Sequence, residues 1–286
     1  MNSDEKINKK LIGEMFHENW IDKLNFEEIR ECIKNVSLLE IVSENVKPND
    51  VHSLPNGKIL FITSNLVSIL DENFNIIKSK EMMGVVGCAL KDENEIYLVD
   101  SINSCIYIID SELEKKMQLG SYGIGDYQFK NPKTIFWVNE LFYVNDDGNF
   151  RIQIFDKNQK FLNSVENNNP FSSIKISEKS IAIPQQIGLQ FIDLLTLEKR
   201  FHDDRRLNGK LHTINSCFYI VSNKFGKLIF LDEFEKYSEE INLETLFSQN
   251  ELNINLEDWK DMFFFSHKRN LFLYIGNKIH KLIFYI

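Results

Sequence analysis

Residues 140–156 read ELFYVNDDGNFRIQIFD: an apolar strand, a short polar gap holding a glycine, a second apolar strand, then Asp. Apolar side chains that alternate over five or six residues suit half-buried β-structure rather than helix. The same phrase recurs on both sides of this stretch. Second strands with their Asp read VSILD (67–71), CIYIID (105–110), RIQIFD (151–156), LQFID (189–193) and KLIFLD (227–232), and KIHKLIFYI (278–286) is a copy without its Asp. The strands before them read KILFIT (58–63), EIYLVD (95–100), ELFYVND (140–146), SIAIP (180–184), CFYIVS (217–222) and LFLYIG (271–276), and each follows a still earlier apolar strand. Asp71, Asp110, Asp156, Asp193 and Asp232 are spaced by 39, 46, 37 and 39 residues. A four-strand unit repeating at about 40 residues predicts an all-β chain built as a six-bladed β-propeller. The five Asp are expected to be turn markers, because Asp bonds its own backbone two residues on.

One copy permits a closer likeness. Residues 119–156 resemble the NHL repeat: Gly120, Gly123, Gly125, Phe129 and Pro132 match its glycine-rich lead-in, and Asp146 or Asp147, Asn149, Arg151, Phe155 and Asp156 match its close. The copies at 48–71 and 72–110 match more loosely, and the last three keep only the apolar pattern. The resemblance implies a six-bladed propeller and leaves activity open, since propellers of this kind serve as binding scaffolds, lyases, lactonases and hydrolases. Gly123-Ile-Gly125 is not a phosphate loop, having neither a following Lys-Ser/Thr nor a helix pattern.

At the ends of the repeat, residues 1–36 are expected as a helical extension and 37–286 as the propeller. Asn25 with Glu28 reads as a capping box, and Phe26, Ile29, Cys32, Ile33 and Val36 fall on one helical face. The last copy lacks an outer strand, and residues 38–45, LLEIVSEN, are expected to supply it and so close the ring.

Composition excludes several classes. The chain of 286 residues is 43% hydrophobic and 26% charged, with a net charge of −9. That balance opposes disorder and opposes a sequence-independent grip on nucleic acid. The basic concentration at 199–206 has Asp203 and Asp204 inside it. No apolar run is long enough to span a bilayer, and the opening MNSDEKINKKLIGEMF carries charge where a secretion signal needs apolar residues. Four scattered cysteines then suggest a cytoplasmic protein with reduced thiols packed as small hydrophobes.

Alternating strand directions place second-to-third-strand turns and blade-to-blade connections at one end. The connections at 115–131 and 241–260 are the long ones, bringing Tyr122, Tyr127, Phe129 and Trp259 there as the expected binding face. Asp50, Asn131, Asn169 and Asp261, each just before a first strand, are candidate oxygen ligands for Ca²⁺. His52 and His212, in first strands, are candidates for zinc ligation or acid–base chemistry. No nucleophile elbow or zinc-protease motif is legible. The leading expectation is a non-catalytic scaffold that binds a protein or peptide through that face and needs no cofactor. The alternative is a metal-assisted lyase, lactonase or hydrolase acting on a small molecule at the channel mouth.

Overall fold

The computed structural model describes residues 36–42, 47–92, 94–167, 175–176, 180–185, 187–207, 209–213, 218–223, 227–232, 238–242, 245, 262–267, 270–275 and 278–284. The expected N-terminal helices lie outside these residues. So do Trp259, Asn169 and Asp261.

The described chain forms six four-stranded antiparallel sheets. The first holds β2 (Asp50–Ser53), β3 (Ile59–Ile62), β4 (Leu66–Leu70) and β5 (Ile76–Glu81). The second holds β6 (Val85–Asp92), β7 (Glu95–Asp100), β8 (Cys105–Ile109) and β9 (Lys115–Leu119). After the short parallel pair β10 (Ser121–Tyr122) and β11 (Gln128–Phe129) comes the third: β12 (Thr134–Val138), β13 (Leu141–Asp146), β14 (Arg151–Asp156) and β15 (Phe161–Glu166). The fourth holds β16 (Lys175–Ile176), β17 (Ser180–Gln185), β18 (Gly188–Asp193) and β19 (Lys199–His202). The fifth holds β20 (Gly209–Thr213), β21 (Phe218–Asn223), β22 (Lys227–Asp232) and β23 (Ser238–Asn242). In the sixth, β24 (Phe263–His267), β25 (Asn270–Ile275) and β26 (Lys278–Phe284) are completed by β1 (Val36–Val42), which pairs antiparallel with β26 from Val36 opposite Phe284 to Val42 opposite Ile279. Val36, expected at the end of the helical extension, opens β1 instead.

The backbone divides into two compact units, 46–211 and 1–45 with 212–286. Within the first, the sheets stack face to face, so their middle strands are covered on both sides. In β7, Ile96 and Leu98 face the first sheet while Tyr97 and Val99 face the third. In β13, Phe142 and Val144 face the second sheet and Tyr143 the fourth. The period of two thus loads both faces with apolar groups, each side chain contributing ~1.5–3 kcal/mol on burial. Phe142 and Phe155 stack at 4.7 Å between ring centres, with Trp137 and Tyr97 against the Phe142 ring. Burial pushes the Tyr97 hydroxyl up to about 12. The fourth strands of this unit are largely exposed: β9, KKMQL, buries only Leu119. Lys115–Leu119 therefore belongs to the second sheet, and the expected long connection shrinks to 120–131.

Candidate functional site

Backbone hydrogen bonds gather the second-to-third-strand turns and the sheet-to-sheet connections of this unit at one end. Met82 donates to the Asn65 carbonyl at 2.9 Å, Ser101 to Gly84 at 2.9 Å, and Gly148 to Lys130 at 2.8 Å. The connection 120–131 is the longest of these and is clamped onto the β13–β14 hairpin. Asp146, fully buried, is the centre of the clamp. Its carboxylate accepts from the Lys130 backbone at 2.7 Å, Asn149 Nδ2 at 2.9 Å, Arg151 Nε at 2.8 Å and Gln153 Nε2 at 3.3 Å. The same three side chains then reach the connection: Asn149 donates to the Gly123 carbonyl at 2.8 Å, Arg151 to those of Gly125 at 2.7 Å and Gln128 at 2.9 Å, and Gln153 to that of Gln128 at 2.7 Å. Of the two Asp offered by the sequence motif, Asp146 is the one that organises it. Gly120 sits at φ +79°, where a Cβ would stand 2.3 Å from the Phe129 ring. Only glycine lets the chain turn over that ring.

The clamp presents apolar groups outward. Tyr122 is 69% exposed and Ile124 80%. Met83, Ile102, Phe150 and Ile187 are exposed at the same end. Tyr127 is half anchored: its ring packs on Phe155 and Phe161, and its hydroxyl accepts from the Phe161 backbone at 2.8 Å. Phe129 is fully buried against Phe155 and joins the core between the second and third sheets, so it is no part of an exposed face. The glycine-rich surroundings that suggest a surface loop are what allow the chain to fold over this ring.

The opposite end is built differently. Oδ1 of Asp71 accepts the backbone N–H groups of Asn73 and Asn75, that of Asp110 those of Glu112 and Glu114, and that of Asp156 those of Asn158 and Lys160, all at 2.8–2.9 Å. Asp193 does the same for Leu195 and Thr196. The Asn75 side chain holds the Asp71 carboxyl below its usual range, and backbone donors lower Asp110 and Asp193. These are turn markers, as expected of Asp that bond their own backbone two residues on. Leu195 is the exposed large apolar side chain at this end among the described residues; the others lie at the first end or along outer strands.

A polar cluster sits where β2 and β6 begin, at the clamp end. Asp50 Oδ2 lies 3.2 Å from His52 Nε2 and accepts the Cys88 backbone N–H at 3.0 Å. Donor atoms of Asp50, His52 and Cys88 all lie within 4.8 Å of one another. Two of the sequence candidates, Asp50 and His52, are thus neighbours, and Cys88 is the member that strand reading misses. Its signal is slight, a Gly-Cys step in the first strand of the second sheet. Asn131 is exposed, at φ +51°, and its amide donates to Asp147 at 3.4 Å. The backbone of His212 lies in β20. Cys88 and Cys105 are buried and form no disulfide, as expected of packed thiols.

No helix among the described residues is long and apolar enough to cross a membrane. No family model and no curated protein matches the chain. Among solved structures it is similar to a streptogramin B lyase, at TM-score 0.59 and 14% identity over 89% of this chain and 99% of that one. It is similar to virginiamycin B lyase from Staphylococcus aureus, at 0.56 and 12% over 86% and 98%. It is also similar to Hsv2 from Kluyveromyces marxianus, at 0.54 and 11% over 84% and 73%. Identities this low speak to architecture alone, and the architecture they share with this chain is the β-propeller.

Proposed function

We propose that the chain is a six-bladed, NHL-like propeller, closed by β1, that works as a binding scaffold and takes a protein or peptide at the end bearing the 120–131 connection. Six four-stranded sheets and the edge pairing of β1 with β26 support the ring. The observation that carries the function is the placement of apolar surface: Tyr122 and Ile124 stand exposed on a connection held by a buried charged clamp, with Met83, Ile102 and Phe150 exposed at the same end of the sheets. A rigid aromatic and aliphatic anchor binds with little ordering cost, and such anchors dominate interface energetics. A titration of a bound partner by Tyr122→Ala and Ile124→Asp, with Leu195→Asp as the control at the other end, tests this. The first two should weaken binding about thirtyfold or more while the control is silent. Loss through Leu195→Asp with the others silent refutes it.

A second reading is favoured by a separate observation, the meeting of Asp50, His52 and Cys88. It makes the same end a site of metal-assisted lyase or hydrolase chemistry on a small molecule. Deleting that cluster would then abolish turnover of the substrate, while the apolar anchors would be dispensable.

A further inference from the structure

The geometry points to a binding site for one zinc-like divalent ion at Asp50, His52 and Cys88, bridging the first strands of the first and second sheets. The inference concerns metal binding alone and stands whether the chain is scaffold or enzyme.

Three features carry it. The first is spacing. Zinc bonds of about 2.0–2.3 Å to O, N and S put tetrahedral donors about 3.3–3.7 Å apart. Asp50 Oδ2 and His52 Nε2 stand at 3.2 Å, close to that separation, and the third donor lies within 4.8 Å of both. Closing the set asks the Cys88 sulfur for about an ångström of movement.

The second is charge and donor type. A carboxylate, an imidazole and a thiolate sum to two negative charges, which a divalent cation neutralises in a site where Cys88 is 1% exposed. Sulfur and imidazole donors select zinc or its cobalt analogue, whereas calcium requires six to eight oxygens. The oxygen-only set expected from the sequence would have selected the other class.

The third is support and access. The Cys88 backbone N–H donates to Asp50 Oδ2 at 3.0 Å and the Val51 N–H to Oδ1 at 3.0 Å, fixing the carboxylate as outer hydrogen bonds do around metal ligands. Asn49 Nδ2 donates to the Val85 carbonyl at 3.3 Å and ties the same two strands. The His52 side chain is 36% exposed and that of Asp50 14%, so an ion can reach the site from solvent. Three protein donors leave a fourth position for water.

Cobalt(II) serves as the probe. The full chain, reduced and stripped with chelator, is titrated with Co²⁺ and then with Zn²⁺ in competition. The expected result is one equivalent bound with thiolate-to-cobalt charge-transfer absorption, displaced by Zn²⁺ and not by Ca²⁺. Cys88→Ser should abolish that absorption, and His52→Gln, at a half-exposed side chain, should weaken binding roughly tenfold or more with the far-ultraviolet circular dichroism unchanged. Absence of the absorption in the unaltered protein, its survival in Cys88→Ser, equal affinity in His52→Gln, or displacement by Ca²⁺ would each overturn the assignment. Should Cys88→Ser lose its fold, the His52→Gln affinity decides.

Discussion

The two ends of the sheets in residues 46–211 use Asp in opposite ways. At one end Asp146 is fully buried and gathers donors from as far as sixteen residues away, and its partners reach groups up to twenty-six residues distant. At the other, Asp71, Asp110 and Asp156 are turn residues whose carboxylates bond N–H groups no more than four residues on. The first arrangement stiffens a long connection so that apolar groups can stand in solvent; the second closes a turn and presents little. Exposed apolar surface on a clamped connection at one end and self-satisfied polar turns at the other is the contrast on which the proposed single working face rests.

The comparison breaks most readily at the clamp. Asp146→Ala takes the shared carboxylate from Arg151, Asn149, Gln153 and the Lys130 N–H, leaves the Arg151 charge without its counter-ion, and should cost about 3–5 kcal/mol of stability in urea unfolding. A cost under about 1 kcal/mol would mean that the connection is not held by this carboxylate. Gly120→Ala forces a side chain into the Phe129 ring at a left-handed φ and should cost ~2 kcal/mol. Tyr122→Ala should leave the urea midpoint nearly unchanged while weakening partner binding by roughly 2 kcal/mol. Asp156→Ala removes two local backbone bonds and should cost ~1 kcal/mol, well short of Asp146→Ala in the same assay.

The smallest effect is on pH. The carboxyls of Asp71, Asp110 and Asp193 sit below their usual 3.8 in the folded chain, the first through Asn75 and the others through backbone donors. A depressed carboxyl contributes stability above the unfolded value and loses it as pH falls through the folded one. These turns should therefore be indifferent to pH above about 4 and loosen below it, with the effect reduced by solvent screening. An acid-unfolding profile of an Asp71→Asn, Asp110→Asn, Asp193→Asn variant, flatter below that point than the unaltered chain, checks the sign.

The same contrast governs what could be read from the sequence. The strands and the Asp turns were legible because their causes are local: alternation of period two in EIYLVD and RIQIFD, and a carboxylate that bonds its own next few N–H groups. Phe129 was misplaced because its burial depends on Gly120 bringing the chain back over the ring. The polar strand KKMQL hid as a connection because a fourth strand needs few apolar residues. Gln153 passes as an ordinary outward residue of β14, although its side chain spans the clamp. Cys88 was invisible as a neighbour of His52, since their proximity is set by the lateral alignment of β2 and β6, which no local pattern encodes.

The most direct test of a single working face is a photo-crosslinking residue placed at position 122 in one sample and at 195 in another, in the full chain within its native cells. The account predicts a discrete protein adduct from position 122, abolished by Ile124→Asp, and none from position 195. An adduct from 195, or one from 122 indifferent to Ile124→Asp, would contradict it.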